Sequence, residues 1–541
     1  MQRTPPPHVP WVSIAAFHSL PTPAPSPQLF PQLPEAGSTC PPTITTMIST
    51  QAEDFNRTVR MGFQNMDNLQ RQRLLAELLN TCNTEQLVFV SNYISPRLKR
   101  DFLKDLPIEI SLHILSFIDD PRTLSRASSV SKFWRSLLND DYTWKNLCAR
   151  HHYYFHNKRC NSNSNNSSSL LLESSNSNSR CVRFSYKDHF RRRYVVESNW
   201  KNGGRTLKTH ISPDSGVVTS LQMCENFIVV GMDNKKIHVF GASNGRYVKT
   251  LTGHEGGVWA LQYFDEILVS GGCDRDVRVW NLITGQCKHV LHGHTSTVRS
   301  LKMKNSKIAV SGSRDTTLRI WDIEEGRMLH LLAGHQASVR CIEIYENLIV
   351  SGSYDCTARV WDMSTGQCLH VLQGHFSQIY SIAFDGQKIV TGSLDATARV
   401  WSAQTGRCLG VLQGHTSLVG QMQLHESTLV TGGSDGAIRI WDLETNQCVH
   451  RIAAHDNSVT CLQFDDKRIV SGGNDGHVKL WDVQTGSFIR ELTTQGNAVW
   501  RLAFNDTKAV ILLQRESKTV MEVLDFDECD HLSVECDDTW N

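Results

Sequence analysis

Residues 294–322 read HTSTVRSLKMKNSKIAVSGSRDTTLRIWD, and the same succession of His, a β-branched run, Ser-Gly, Asp and Trp returns along the second half of the chain. Tryptophans stand at 280, 321, 361, 401, 441 and 481, spaced 41 residues once and 40 otherwise. A fixed period of this length marks stacked copies of one supersecondary unit, none of which can bury its apolar face alone. Runs such as KIAVSGS and TLRIWDI, bounded by Gly, Asp and Asn, predict the strands of a four-stranded antiparallel sheet. Six units are well formed. Two are degenerate: a first that ends at Phe240-Gly241 and lacks a matching Gly-His, and a last that runs from Val499 to VLDFD at 523–527. Counting both gives eight units, and seven if the last segment is only a closing flap.

Each unit repeats a His, a Ser or Thr, an Asp and a Trp in fixed phase, as in His294, Ser311, Asp315 and Trp321, then His335, Ser351, Asp355 and Trp361. Ser, His and Asp together suggest a catalytic triad. Six equivalent copies point instead to a hydrogen-bond network that satisfies buried polar groups in every unit. No catalytic residue is therefore assigned, and the chain reads as a non-enzyme.

The repeat supplies its own control: what recurs is scaffold, and what differs in one sector is a candidate for function. One slot, five residues after the His, reads Trp259, Arg299, Arg340, Tyr380, Gly420, Thr460. The last unit offers Trp500 followed by Arg501. A second slot, just before the Asp, reads Cys273, Arg314, Tyr354, Leu394, Ser434, Asn474, with Arg275 just after the Asp of its own unit. By contrast, the basic residue two before each Trp (Arg278, Arg319, Arg359, Arg399, Arg439, Lys479) repeats faithfully and reads as a strand position. Units arranged in a ring place equivalent slots side by side on one face. Arg299, Arg314 and Arg340 would then converge beside Tyr354 and Tyr380, with Trp259 and Trp500 nearby. Guanidinium forks match phosphate oxygens, and clustered cations make most sense when an anion completes them. The alternative is that these arginines pair with neighbouring Asp or Glu.

The whole chain is nearly neutral, with 55 Lys and Arg against 54 Asp and Glu, so it gives no general reason to expect nucleic acid or an anionic membrane as partner. Its 16 cysteines include no CxxC pair, and Cys368, Cys408 and Cys448 recur every 40 residues, which reads as a packing position in a reducing compartment. No metal site and no cofactor are expected. The Pro-broken N-terminus does not read as a signal peptide, and no stretch has membrane-spanning length, so a nuclear or cytoplasmic protein is expected.

Ahead of the repeats the chain changes character. Residues 1–60 are rich in Pro, Ser and Thr and are expected to form a disordered tail. Residues 61–98 are helical, with a cap at Asp67 and a second helix ending before Ser95-Pro96. Residues 101–150 form a third helical block whose apolar positions, including Leu112, Ile114, Leu115, Phe117 and Ile118, exceed what so short a segment can bury, so a helical partner is indicated. Residues 151–209 read as a linker, with an Asn/Ser-rich insertion at 161–179 and a helix whose Arg191–Arg193 triplet faces solvent. The repeats occupy 210–530 and a short tail 531–541.

The Gly-His and Trp-Asp marks at this period resemble the WD-repeat family, whose units are blades of a β-propeller. LPIEISLHILSFID, with Trp134-Arg135 and Trp144-Lys145, resembles the F-box. The combination, with HTSTVR, SGSRD, SGSYD and VLDFD as the nearest strings, resembles the archipelago-like F-box/WD-repeat receptors. The fold so implied is mixed and multidomain: an all-β eight-bladed propeller preceded by an α-helical F-box region and the tail. The resemblance implies the substrate-recognition subunit of an SCF-type cullin-RING ubiquitin ligase that binds phosphorylated degrons of substrate proteins. It implies that Arg299, Arg314 and Arg340 grip a phosphothreonine with Ser296 and Thr297 nearby. Arg275, Tyr354, Tyr380, Trp259 and Arg501 would shape the groove. Leu106, Pro107, Ile108, Leu112, Leu115 and Trp134 would meet the Skp-type adaptor, and through it cullin and RING subunits. The helices at 61–98 either form a homodimer, as the resemblance implies, or pack on the F-box. The rival from another class is a WD-repeat scaffold that assembles proteins with no role in ubiquitination.

Overall fold

The computed structural model describes residues 44–98, 101–153, 185–212, 216–516 and 518–527, in two compact units that divide between Asp101 and Phe102. The stretch 1–43, the Asn/Ser insertion and the tail 531–541 lie outside the described residues.

The first unit holds helices α1 (Ile44–Asn65), α2 (Asn68–Asn80) and α3 (Thr84–Leu98). Helix α1 starts inside the segment expected to be disordered tail. Ile48, Ala52, Phe55, Val59 and Phe63 recur at helical spacing there, a stripe masked by the surrounding Thr and Ser. Asp67 caps α2 as expected, accepting from the Gln70 amide at 2.7 Å while the Gln70 side chain accepts from the Asp67 amide at 3.2 Å. Helix α3 runs on through Pro96 instead of stopping before Ser95.

In the second unit, α4 (Phe102–Asp105), α5 (Ile108–Ser116), α6 (Pro121–Ser128), α7 (Lys132–Leu138) and α8 (Asp141–Arg150) make the compact helical block. Asp120 accepts from the Arg122 and Thr123 amides at 3.1 Å, and Pro121 opens α6 where its missing N–H costs nothing. Leu103, Leu115, Leu124, Leu138 and Trp144 form the core, and the Trp144 indole donates to the Leu138 carbonyl at 2.6 Å.

Helix α9 (Tyr186–Asn202) belongs to two cores at once. Phe190 completes the core of the helical block. One end on, Val196 and Trp200 are buried in the propeller, where the Trp200 ring stacks on Phe526 with centroids 3.8 Å apart. The Arg191–Arg193 triplet does not simply face solvent: Arg193 pairs with Asp506 at 3.0 Å and Arg192 Nε donates to Asp527 at 2.8 Å. These charges fasten the helix to the propeller.

Residues 205–527 form eight four-stranded antiparallel sheets, the blades of a propeller. Blades 1 to 7 are continuous in sequence, starting at Val218, Val258, Val298, Val339, Ile379, Val419 and Val459. Blade 8 takes three strands from 498–525 and its outermost strand from Arg205–Ser212, which pairs Arg205 with Asp525 and Lys208 with Glu522. Residues 205–209 therefore belong to the propeller and not to the linker, because without them the third strand of blade 8 would present an unpaired edge. The last segment supplies three of the four strands of a complete blade and is not a closing flap, so the blades number eight. The second strand of a blade is buried over successive residues, as in Ala309–Ser313, since neighbouring blades cover both its faces. Cys368, Cys408 and Cys448 are exposed on outermost strands and do not pack in the core. Arg359 and Arg439 reach the Cys368 and Cys448 sulfurs at 3.9 and 3.6 Å.

Candidate functional site

The recurring quartet does what its sixfold copying suggested. In blade 3 the Trp321 indole donates to Ser311 Oγ at 2.7 Å, Ser311 lies 2.8 Å from His294 Nε2, and His294 Nδ1 lies 2.7 Å from Asp315. The indole can only donate and the carboxylate can only accept, so the chain of bonds runs from Trp through Ser and His to Asp. Asp315 also accepts from the Thr295 amide at 2.9 Å, which pins the loop entering the blade. Five further copies centre on Ser270, Ser351, Thr391, Thr431 and Ser471. All six hydroxyl residues are fully buried, so no substrate carbonyl reaches them. Burial holds His375, His415 and His455 below the ordinary imidazole value against the pull of their Asp partners. Asp315 and Asp355 lie well below the carboxylate range because their His and Thr partners outweigh burial.

The first variable slot has a structural cause that the sequence does not display. In every blade the innermost strand skips one residue of its ladder near its start, as between Val298 and Ser300 or Val339 and Cys341. The skipped residue is Thr219, Trp259, Arg299, Arg340, Tyr380, Gly420, Thr460 or Trp500 in blades 1 to 8. A β-bulge releases its residue from the pleat and re-aims the side chain, so this position can vary from blade to blade; in blades 1 and 7 it is a Thr whose hydroxyl donates to the Gly231 and Gly472 carbonyls at 2.9 and 3.0 Å. The second slot is tied to the first. The Arg314 amide donates to the Thr297 carbonyl at 2.9 Å, and Cys273, Tyr354, Leu394, Ser434 and Asn474 make the equivalent bond at 2.8 to 3.0 Å.

Geometry brings the sequence-selected residues together across blades. The Arg299 guanidinium lies 3.9 Å from the centre of the Trp259 ring, and Arg340 lies 5.9 Å from that of Tyr380. The Tyr354 and Tyr380 rings are 5.1 Å apart. Arg501, in blade 8, donates through Nε and Nη2 to the Thr219 carbonyl at 3.1 and 3.0 Å. Blade 8 lies opposite blade 4 in the ring, yet after burial the Arg340 charge still helps to lower the Arg501 guanidinium, so the two cations face one another across the axis. Burial first, and then the charges of Arg340, Arg314 and Arg501, push the Arg299 guanidinium down to about 10. Among the described residues no Asp or Glu lies within 4.0 Å of the guanidinium nitrogens of these four arginines, so pairing with acids does not explain them.

Four residues stand apart from this convergence. Arg275 is exposed beyond Asp274 with a left-handed backbone (φ 72°), and no ion pair or ring contact among the described residues draws it into the cluster. Ser296 and Thr297 are half-buried at the lip of blade 3. Their carbonyls are already taken by Ser313 Oγ and the Arg314 amide. Trp500 packs on the core between blades 8 and 1.

On the helical block, Leu106, Pro107 and Ile108 are exposed, while Leu112 and Trp134 are half-buried against the core. Leu115 is 1 % exposed inside that core, so it supports the surface and cannot touch a partner. Sequence reasoning left out of this face Phe102, Ile110, Ile114, Phe117 and Val130, all exposed and apolar. The signal was the surplus of apolar residues itself, which did not say which of them would be left over.

An eight-bladed propeller with a cation cluster, strutted by α9 to a small helical block with exposed apolar residues, fits the F-box/WD-repeat class of proteins. Residues 103–150 match the F-box-like family. Residues 245–281, 285–322, 326–362, 366–402, 406–442 and 446–482 match the WD domain, G-beta repeat family. The chain is an F-box/WD-repeat protein. It is 39% identical over 204 residues to F-box/WD repeat-containing protein 7 of Drosophila melanogaster, 37% of this chain and 14% of that one. It is 30% identical over 250 residues to cell division control protein 4 of Saccharomyces cerevisiae, 45% of this chain and 31% of that one. A probable E3 ubiquitin ligase complex SCF subunit, sconB, of Talaromyces stipitatus is 27% identical over 230 residues, 40% of this chain and 34% of that one. The matched stretches thus span about a third or less of these relatives. Among solved structures, the crystal structure of the computationally designed Ika8 protein is 35% identical, covers 58% of this chain and 98% of that one, and gives a TM-score of 0.55.

Proposed function

We propose that this protein is a non-enzymatic substrate receptor of an SCF-type ubiquitin ligase, which captures phosphorylated degrons on the propeller face and binds a Skp-type adaptor through the F-box. The observation that carries the reading is the cluster of Arg299, Arg314, Arg340 and Arg501, half-buried or exposed on one face, mutually repelling and unmatched by acids. A phosphate dianion relieves that repulsion, whereas an unphosphorylated peptide leaves it standing. Trp259, Tyr354 and Tyr380 wall the cluster and supply apolar surface to the rest of the peptide. Specificity for the phosphorylated form follows from the cost of the empty site.

The adaptor reading rests on the exposed run of Leu106, Ile108, Ile110, Ile114 and Phe117. The helices of the first unit leave Phe55, Leu69, Leu75, Leu78 and Phe89 exposed, in keeping with a homodimer. Nucleus and cytoplasm are the compartments this role implies. The test is binding of a doubly phosphorylated Thr-Pro peptide to the wild type, Arg299→Ala and Arg340→Ala. Tight binding that both substitutions abolish supports the reading, and equal affinity across the three proteins overturns it.

A further inference from the structure

One residue on the propeller face departs from its sisters as sharply as the arginines do. The position immediately after the His of each quartet is Glu255, Thr295, Gln336, Thr416 and Asp456 in five blades, and Phe376 in blade 5. The backbone there is unchanged: the Phe376 amide donates to Asp395 at 3.0 Å just as its sisters donate to their own Asp. Only the side chain differs, and it is 87% exposed. The ring lies 5.8 Å from the guanidinium of Arg399, whereas Arg359 and Arg439 of the flanking blades lie over Trp361 and Trp441. Blade 5 thus gives its repeating arginine a new seat in order to carry an aromatic ring at the surface.

Its surroundings continue the trend. In the second slot the same blade carries Leu394, 43% exposed, whose amide is bonded to the Gln378 carbonyl between Phe376 and Tyr380. Read around the face, that slot passes from Arg314 through Tyr354 to Leu394, so it changes from cationic to aromatic to aliphatic over three blades. The next blade offers no obstacle. Its bulge residue is Gly420, where a Cβ would meet nothing nearer than the Leu418 side chain at 3.7 Å.

Resting on the phosphopeptide reading above, we propose that Phe376 and Leu394 form an apolar subsite that selects phosphorylated peptides with a bulky apolar side chain about three to six residues from the phosphate. The spacing comes from the chain itself. Phe376 lies four residues from Tyr380, so their Cα atoms are at most about 14 Å apart, and an extended peptide leaving Arg340 over Tyr380 covers that distance in about four residues. Phe376 is therefore a specificity-determining residue of the site.

The test uses the full chain and phosphothreonine peptides of Ala and Ser, with one Leu moved position by position through both flanks, read by fluorescence anisotropy. The expected result is that Leu at one position in the window tightens binding to the wild type by about tenfold. In Phe376→Thr that gain vanishes while the Leu-free phosphopeptide binds as before. Thr occupies the same position in two sister blades, so an unchanged unfolding midpoint certifies the variant. A Leu effect that persists in Phe376→Thr, or no position in the window gaining more than about twofold, overturns the subsite alone. If the phosphopeptide binds no better than its unphosphorylated form, the phosphopeptide reading falls and the subsite falls with it.

Discussion

Replacing Arg299 by Met should make the empty propeller more stable and the site useless. Burial and three like charges bring the Arg299 guanidinium from 12.5 to about 10. At 1.36 kcal/mol per pKa unit that is about 3 kcal/mol, and solvent screening at a half-buried site reduces it to about 1 to 2 kcal/mol. Met keeps most of the contact with Trp259 and removes the charge, so the variant should unfold about 2 to 4 °C higher. Its loss in binding works the other way. Two charge-assisted hydrogen bonds at about 1.5 to 3 kcal/mol each amount to about 3 to 6 kcal/mol, or roughly two to four decades in Kd. Calorimetric unfolding with and without phosphopeptide reads both effects at once: the peptide should raise the wild-type transition and leave that of Arg299→Met where it is. A lower transition with undiminished peptide binding would make Arg299 a packing residue and refute the argument.

Stability should also respond to acid through the quartets. His375, His415 and His455 are held below the ordinary 6.5, so the unfolded chain takes up protons that the folded blades refuse. Their contribution is complete above about pH 7 and falls as pH drops below 6.5, with a slope of at most about 4 kcal/mol per pH unit; denaturation midpoints that stay flat from pH 8 to 5 would contradict this. Ser311→Ala strands the Trp321 indole N–H and the His294 Nε2 without partners in a buried site. It should cost about 2 to 5 kcal/mol in urea unfolding, against less than about 0.5 kcal/mol for Ser296→Ala. On the helical block, Ile110→Asp should abolish adaptor pull-down with little change in thermal unfolding. Leu115→Ala should instead cost about 2 to 5 kcal/mol of stability, and the reverse pattern would show that the exposed face is not the docking surface.

The arginines were legible because the repeat removes the background: Arg299 stands out against Gly420 and Thr460 in the same slot. What the slot is was not legible. A bulge is a property of two strands in register, and no single repeat announces that residue 299 has left the ladder. Leu115 and Ile114 are neighbours of one chemistry, yet one is sealed in the core and the other is open. Their difference lies in how α5 rotates against α8, which one amphipathic stretch cannot specify. The outermost strand of blade 8 was hidden for a related reason. Its partner lies at the far end of the propeller sequence, and Arg205–Ser212 alone reads as polar linker.

That closing strand also imposes an order of events on the newborn chain. Arg205 leaves the ribosome about 300 residues before Asp525, the residue it must pair with. At roughly 5 to 20 residues per second the strand waits on the order of 15 to 60 s with its edge unpaired. Arg205 and Lys208 put positive charge on it during that interval, the device that discourages a waiting edge from pairing with another chain. Because α9 immediately precedes it, the helical block can be finished long before the ring shuts. A chain truncated before Lys518 would carry a formed F-box segment on an open propeller.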